Sequence, residues 1–344
     1  MIYAIKQELL LRKNELGDDQ IKTIYFGGGT PSLLSIEEIQ LLIDTIYTNY
    51  SVVSDVEITL EANPDDLSAQ KIKELAKSPI NRLSIGIQSF FDEDLKFMNR
   101  AHTAEESKKC LLEAKKYFEN ITIDLIYGVP NMSAKKWLAN LNLAFDFKIP
   151  HISSYALTVE EKTALHSFIK SGKTPPIDEN LTLQHFNMLV DESEKQGFVQ
   201  YEISNFGKPN YFSKHNMSYW LGEKYIGVGP SAHSFNGFER SWNISNNAKY
   251  IKDLLENKLP SQTEKLTKNN KFNEYVMTGL RTIWGVSFEK IKLDFGAEYL
   301  ELLIQNSQPF IENGLLEISK NRILITTKKG KFLADGIASD LFLL

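Results

Sequence analysis

The stretch YFGGGTP, residues 25–31, decides how this chain is expected to fold. It ends the β-type run Ile21–Phe26 and precedes Ile36–Tyr50, whose apolar residues recur at helical spacing. Glycine tolerates positive φ angles and lets a ligand approach the backbone. A loop at the carboxyl end of a parallel strand is where α/β proteins bind small molecules. The alternative is that the three glycines only make a tight turn.

Length and composition exclude several classes of protein. The chain has 344 residues, 42% of them hydrophobic and 24% charged, as in ordinary globular proteins of two or three domains. Its net charge of −5 does not favour a nucleic-acid partner. No apolar run approaches the roughly 18 residues of a membrane helix, and the N-terminus lacks a secretory signal pattern. We therefore predict a cytoplasmic protein without an integral membrane segment.

Strands and helices alternate along the first two hundred residues, after an initial helix at 1–15. The predicted strands are 21–26, 56–61, 82–88, 121–126, 152–157 and 198–203. Short connections in such an alternation predict an α/β fold with a parallel sheet covered by helices, either doubly wound or barrel-like.

Polar residues or glycines mark the carboxyl ends of the predicted strands. They are Gly27–Thr30, Glu61, Gln88, Asp124, Ala156 with Thr158, and Glu202. In a barrel these ends lie on one face, so the groups are expected to converge on one mouth. The alternative for each is an ordinary surface position.

The remainder of the chain has a different character. Residues 205–240 are rich in glycine, aromatic residues and histidine, and we interpret them as an irregular cover. Helices, a two-stranded hairpin and a last helix are predicted after residue 246, which indicates a small winged-helix-like domain. Its mixed charge favours an interaction or lid role over DNA regulation. The predicted domains are 1–240 and 246–344.

Six motifs in one order and spacing carry a resemblance to a known family. They are YFGGGTP (25–31), EANP (61–64), SIGIQSF (84–90), RAH (100–102), DLIYGVP (124–130) and YEISNF (201–206). The chain resembles the radical SAM proteins related to oxygen-independent coproporphyrinogen III oxidase. The stretch HNMSYW, residues 215–220, further resembles the pattern of the haem chaperone branch of that family, HemW.

The resemblance implies a partial (β/α)6 barrel with S-adenosylmethionine across the strand ends. Positions that match the family's adenosylmethionine contacts are Gly28, Gly29, Thr30, Glu61, Gln88, Arg100, Asp124 and Ala156. Gly28 would lie at the methionine portion, and Glu61 would contact the nucleoside or the amino group. Gln88, Arg100 and Asp124 would line the place where the oxidase holds a second adenosylmethionine.

The chain departs from the family at the iron–sulfur cluster. Members carry a Cys-x3-Cys-x2-Cys loop after the first barrel strand, and its thiolates hold a [4Fe–4S] cluster. Cys110 is the only cysteine here and is interpreted as a helix-packing residue, so the cluster is expected to be unligated and metal ligands absent. Either the chain begins at an internal methionine and lacks about 30 residues, including the first strand, or it is a cluster-less relative. The helix at Met1 favours the first. We predict no catalytic residue and no radical chemistry unless that segment is restored.

The resemblance also implies haem binding and delivery to recipient haem proteins. His215 is the candidate haem contact, with Tyr219 and Trp220 packing on the porphyrin, and His233 is a second candidate. The alternative is that His215 makes loop hydrogen bonds and Trp220 fills the core. The competing function is oxidative decarboxylation of coproporphyrinogen III, which requires the cluster.

Overall fold

The computed structural model describes residues 1–343, and within them the chain is an α/β protein. The strands are β1 (Ile21–Phe26), β2 (Val52–Ala62), β3 (Arg82–Gln88), β4 (Asn120–Tyr127), β5 (His151–Ala156), β6 (Val199–Glu202), β7 (Asn205–Gly207), β8 (His233–Phe235), β9 (Glu239–Asn243), β10 (Ser261–Lys265), β11 (Val286–Ser287), β12 (Leu316–Ile318) and β13 (Ile323–Thr326). The helices are α1 (Ile2–Leu11), α2 (Ile36–Asn49), α3 (Ala69–Leu75), α4 (Asp92–Phe97), α5 (Ala104–Ala114), α6 (Ala134–Asp146), α7 (Ala164–Lys170), α8 (Glu179–Lys195), α9 (Lys214–Trp220), α10 (Asn247–Leu255), α11 (Lys268–Leu280), α12 (Phe288–Phe295), α13 (Ala297–Glu312) and α14 (Ala334–Asp340).

The main sheet has the order β1-β2-β3-β4-β5-β7-β6 in the described part of the chain. Pairs β2–β3, β3–β4 and β4–β5 are parallel, as the alternation of strands and helices predicts. The expectation fails at the far edge, where β7 pairs with both β5 and β6 in the antiparallel sense. Strand β7 has three residues, too few for a period-2 pattern, and sequence reading therefore missed it.

Alternation gives strands β2 to β5 one largely apolar and one largely polar face, because successive side chains of a strand point to opposite sides. The apolar set is buried and consists of Ile58, Leu60, Leu83, Ile85, Ile87, Ile121, Ile123, Leu125 and Ile152. The polar set consists of Glu57, Thr59, Glu61, Arg82, Ser84, Thr122, Asp124, His151 and Ser153. Parallel sheets are usually apolar on both faces. The polar face of this sheet is therefore unusual, and it is where we look for a functional site.

The helices begin where local capping chemistry places them. Ser35 accepts from the Glu38 amide while the Glu38 carboxylate accepts from the Ser35 amide, which is the reciprocal cap that starts α2. Ser133 caps the start of α6 and Asp178 the start of α8, each by accepting a hydrogen bond from a backbone N–H through its side chain. The inner sides of these last two helices carry large apolar side chains, with Trp137 and Phe186 fully buried, together with a few polar ones.

The described residues form two compact units. One contains Tyr25–Leu33 and Glu57–Ser213, and we call it the sheet unit. The other contains Met1–Ile24, Leu34–Val56 and Lys214 onward, and we call it the helical unit. The helical unit has its own apolar core, built from helices α11–α14 with strands β11–β13. No helix within residues 1–343 combines the length and the apolar character needed to cross a membrane.

Several elements of the helical unit differ from the sequence expectation. The stretch expected to be irregular, 205–240, contains α9, β8 and the first two residues of β9, and β10 and β11 were not predicted at all. The helix predicted at 328–342 is a 3-10 turn followed by the shorter α14. These strands have two to five residues and depend on antiparallel partners: β8 and β9 form a hairpin, β10 pairs with β9, and β11 pairs with the more distant β13. Local periodicity therefore does not reveal them.

Candidate functional site at the strand ends

The glycine loop leaves β1 with two residues in the left-handed region. Gly28 has φ +70° and Gly29 has φ +62°, and no other atoms lie within 4 Å of where a β-carbon of either would be. Both residues are exposed, and Thr30 is half-buried. A left-handed backbone with open space above it is what a ligand in contact with main-chain atoms requires. The same geometry is also compatible with a tight turn that is only structural, because an exposed turn leaves the same open space.

Glu61 is held by two donors of the glycine stretch. The Tyr25 hydroxyl donates to Glu61 Oε1 over 2.5 Å, and the Gly28 amide donates to Glu61 Oε2 over 3.3 Å. Burial, followed by the negative charge of Glu61, raises the pKa of Tyr25, so its hydroxyl remains a donor. The carboxylate is thereby fixed at the carboxyl end of β2.

Gly27 explains how Tyr25 reaches across the loop. A β-carbon on Gly27 would lie 2.6 Å from Tyr25 Cε1 and 3.2 Å from Glu61 Cδ. The tyrosine ring therefore packs against the bare α-carbon of Gly27 on its way to the glutamate. Of the three glycines, the first makes room for a side chain, and the other two provide the left-handed turn.

Asp124 lies on the polar face of β4, directly opposite Ser153 of β5. Burial, and then the negative charge of Glu61, raise the pKa of Asp124 to about 7; Arg82, a hydrogen bond with Ser153 and Arg100 act in the opposite direction. A carboxyl group whose pKa is raised to near neutral by burial and by a neighbouring carboxylate is a mark of functional sites.

Gln88 is the last residue of β3, and Ala156 is the last residue of β5. Gln88 is buried and has φ +63°, a conformation that is uncommon outside glycine and that clusters at binding sites. Its amide nitrogen would lie 2.8 Å from a β-carbon on Gly86, so this glycine leaves room for the folded-back side chain. Ala156 is half-buried and pairs with Tyr127 at the end of β4. Arg100 is exposed and follows α4, outside the strands.

The opposite end of the polar face carries a buried network that sequence reading missed. Arg82 donates to the Thr122 hydroxyl, which is 3.0 Å from His151 Nδ1, and His151 Nε2 is 2.7 Å from the Tyr201 hydroxyl. Arg82 also lies 3.9 Å from the Glu57 carboxylate. Burial and the charge of Arg82 lower the pKa of His151, so this ring is neutral. The signal was present as a polar residue at every second position of consecutive strands.

The haem candidates form an aromatic cluster on α9 in the helical unit. His215 and Tyr219 lie one turn apart, with their rings edge to face and centroids 4.9 Å apart. His215 Nδ1 is 2.9 Å from the Thr23 hydroxyl. The Tyr219 ring also packs edge to face against the Tyr225 ring, with centroids 4.7 Å apart. His215 therefore makes a side-chain hydrogen-bond contact, as the alternative reading expects.

Trp220 and His233 have separate surroundings. The guanidinium of Arg281 stacks 4.9 Å above the Trp220 ring, and Trp220 is half-buried. His233 is exposed on β8, and its ring centroid lies 6.3 Å from that of Trp242, its cross-strand partner. Together with Lys249 and Gln262 these two line an open cleft of about 480 Å³. Tyr219 and Trp220 are adjacent on α9 but have different neighbours.

Cys110 is buried on α5, and burial raises the pKa of its thiol to about 12. Within residues 1–343, no three His, Cys, Asp or Glu side chains are grouped to hold a metal ion. A four-iron cluster needs three thiolates, so the residues of this chain do not fit that group.

Comparison with known proteins assigns the class. The radical SAM superfamily matches residues 2–144, and the HemN C-terminal domain matches residues 266–333. The structure of coproporphyrinogen III oxidase HemN from Escherichia coli has a TM-score of 0.84 and 21% identity, covering 99% of this chain and 82% of that protein. The fold is therefore that of a radical SAM protein.

Full-length relatives define the family more closely. The heme chaperone HemW of Bacillus subtilis is 34% identical over 97% of this chain and 89% of its own length. The heme chaperone HemW of Lactococcus lactis is 34% identical over 93% of this chain and 86% of its own length. The chain belongs to the heme chaperone HemW family.

Proposed function

We propose that this protein binds haem and delivers it to recipient haem proteins, and that it binds S-adenosylmethionine at the strand ends of the sheet unit. The observation that carries the haem assignment is the α9 cluster, in which His215 and Tyr219 share one side of the helix. Imidazole is a common iron ligand, and tyrosine and tryptophan rings pack well on a porphyrin face. Membership of the heme chaperone family supports the same assignment.

The adenosylmethionine assignment is supported by the chemistry of the sheet unit. Gly28 and Gly29 expose main-chain atoms under open space. Glu61 and Asp124 supply carboxyl groups that accept hydrogen bonds from ribose hydroxyls or an ammonium, and a sulfonium relieves their mutual repulsion. Thr30, Gln88, Arg100 and Ala156 are proposed to line the remainder of this pocket.

The [4Fe–4S] cluster that the superfamily name implies is not assigned to any residue of this chain. Its chemistry when bound is reduction of adenosylmethionine, which the oxidase reaction would need. The likeness to the oxidase structure, at 21% identity, concerns the fold alone. Haem delivery is therefore the function proposed, and the cytoplasmic location remains a prediction from composition.

A hemin titration tests the haem assignment. The His215→Ala variant is expected to bind hemin about tenfold or more weakly than the wild type, because it loses an iron ligand and a ring contact. His166→Ala, a half-buried histidine on α7, is the matched control and is expected to bind as the wild type does. The measurement is the Soret absorbance at increasing hemin concentration.

The result for His215→Ala decides whether His215 is kept as the haem contact. Equal hemin affinity of His215→Ala and the wild type would remove the assignment of His215. In that case His233→Ala is the next variant to titrate, because His233 is exposed beside Trp242.

A further inference from the structure

We propose that Tyr25 is a positioning residue for Glu61, and that its hydroxyl holds the carboxylate in the orientation that receives a cationic adenosyl ligand. The inference rests on the adenosylmethionine site proposed above. Tyr25 itself is not expected to touch the ligand.

The geometry supports a built arrangement. The Tyr25 ring packs on the bare α-carbon of Gly27, and its hydroxyl ends 2.5 Å from Glu61 Oε1. The Gly28 amide donates a hydrogen bond to the other oxygen, Oε2, at 3.3 Å. One donor on each oxygen fixes both the position and the plane of the carboxylate. Because two carboxylate oxygens offer about four lone-pair sites, acceptor capacity remains for a ligand.

Electrostatics keep Tyr25 a donor. Burial raises the pKa of the Tyr25 phenol, and the charges of Glu61 and Asp124 raise it further, while Arg82 acts against them. The neutral hydroxyl therefore donates throughout the physiological range and adds no negative charge beside Glu61 and Asp124. A hydrogen bond to a charged acceptor contributes more than one between neutral groups.

Without the hydroxyl, Glu61 keeps the Gly28 amide but loses its shorter bond. The carboxylate then samples several orientations and must be ordered when the ligand binds. Tyr25→Phe retains the ring that packs on Gly27 and removes only the O–H group, so it isolates this effect. We expect the variant to keep the melting temperature of the wild type within a few degrees.

A double-mutant cycle with S-adenosylmethionine as the probe tests the role. Isothermal titration of the full chain is made on the wild type, Tyr25→Phe, Glu61→Ala and the double variant. Each single variant is expected to bind about tenfold more weakly. The double variant is expected to bind no more weakly than Glu61→Ala, because Tyr25 acts through Glu61. Tyr47→Phe, on α2 and 48% exposed, is the matched control and is expected to bind as the wild type does.

Each other outcome has a defined meaning. If Glu61→Ala weakens binding and Tyr25→Phe does not, the positioning role is wrong and the adenosylmethionine site stands. Additive losses in the double variant would also overturn the role, since they would mean that Tyr25 acts independently. If neither single variant weakens binding, or the wild type does not bind, the adenosylmethionine site is wrong as well.

Discussion

At the scale of single residues, the three consecutive glycines have different tasks. Gly28 and Gly29 adopt left-handed conformations, whereas Gly27 is needed because Tyr25 and Glu61 occupy the space of its side chain. A sequence of three glycines predicts a permissive loop, but it does not tell which of them is needed for φ and which for space. That distinction depends on Glu61, 34 residues beyond Gly27.

Gly27→Ala is expected to lower the free energy of unfolding by about 1–3 kcal/mol and to weaken adenosylmethionine binding. The reason is that its β-carbon would lie 2.6 Å from the Tyr25 ring and 3.2 Å from the Glu61 carboxyl carbon. Urea unfolding and isothermal titration measure the two effects.

Gly336→Ala is the matched control for that substitution. Gly336 is an exposed residue of α14 with nothing within 4 Å of the added carbon, so alanine is expected to raise stability by up to about 1 kcal/mol. If Gly27→Ala were as stable as the wild type and bound the ligand equally, the packing described for Tyr25 would be contradicted.

At the scale of elements, the alternation within the strands decides which residues meet. Strand β4 puts Ile121, Ile123 and Leu125 on the apolar side of the sheet. It puts Thr122 and Asp124 on the polar side, where their partners come from β5. The existence of most helices and strands followed from local pattern and capping residues. Side-chain partners did not, because they depend on the register between strands.

The raised pKa of Asp124 predicts a pH dependence of stability. The folded state holds a proton on Asp124 up to a pH of about 7, and the unfolded state releases it near 4. Its contribution to the stability of the wild type is therefore present in full below pH 4 and is lost as pH rises through 7. Asp124→Asn removes this dependence and is expected to exceed the wild type in stability at pH 8 but not at pH 4.

Urea unfolding at pH 4, 6, 7 and 8 measures that difference. Asp146→Asn, at an exposed position of α6, is the matched control and is expected to follow the wild type at every pH. An Asp124→Asn variant no more stable than the wild type at pH 8 would contradict the assigned pKa of Asp124.

At the scale of the whole molecule, α1 is attached to residues more than two hundred positions away. Buried Glu8 accepts from the Gly229 amide at 2.9 Å, from Asn243 Nδ2 at 2.8 Å and from the Tyr250 hydroxyl. It also pairs with Arg12 at 3.1 Å. Nothing in the first fifteen residues indicates a buried glutamate, since its donors come from the helical unit's distant segments. The division of the chain into domains 1–240 and 246–344 stays a prediction.

Glu8→Ala is expected to lower the free energy of unfolding by about 3–5 kcal/mol, because Arg12 and three further donors lose their buried acceptor. Thermal and urea unfolding measure the loss. Glu15→Ala, the control, removes another partner of Arg12 that is 41% exposed, so a loss below about 1 kcal/mol is expected. Equal losses in the two variants would contradict the structural role of Glu8.

The sequence by itself determined the α/β class, the predominantly parallel sheet and the resemblance to radical SAM and HemW proteins. These follow from periodicity, caps and short motifs, which act over a few residues. Only the tertiary structure decided that Tyr25 and Gly28 hold Glu61, that Arg82, Thr122 and His151 share a buried network, and that β7 lies between β5 and β6. Hydrogen bonds between strands depend on register, and register is settled when whole elements pack together, not by the residues of one strand.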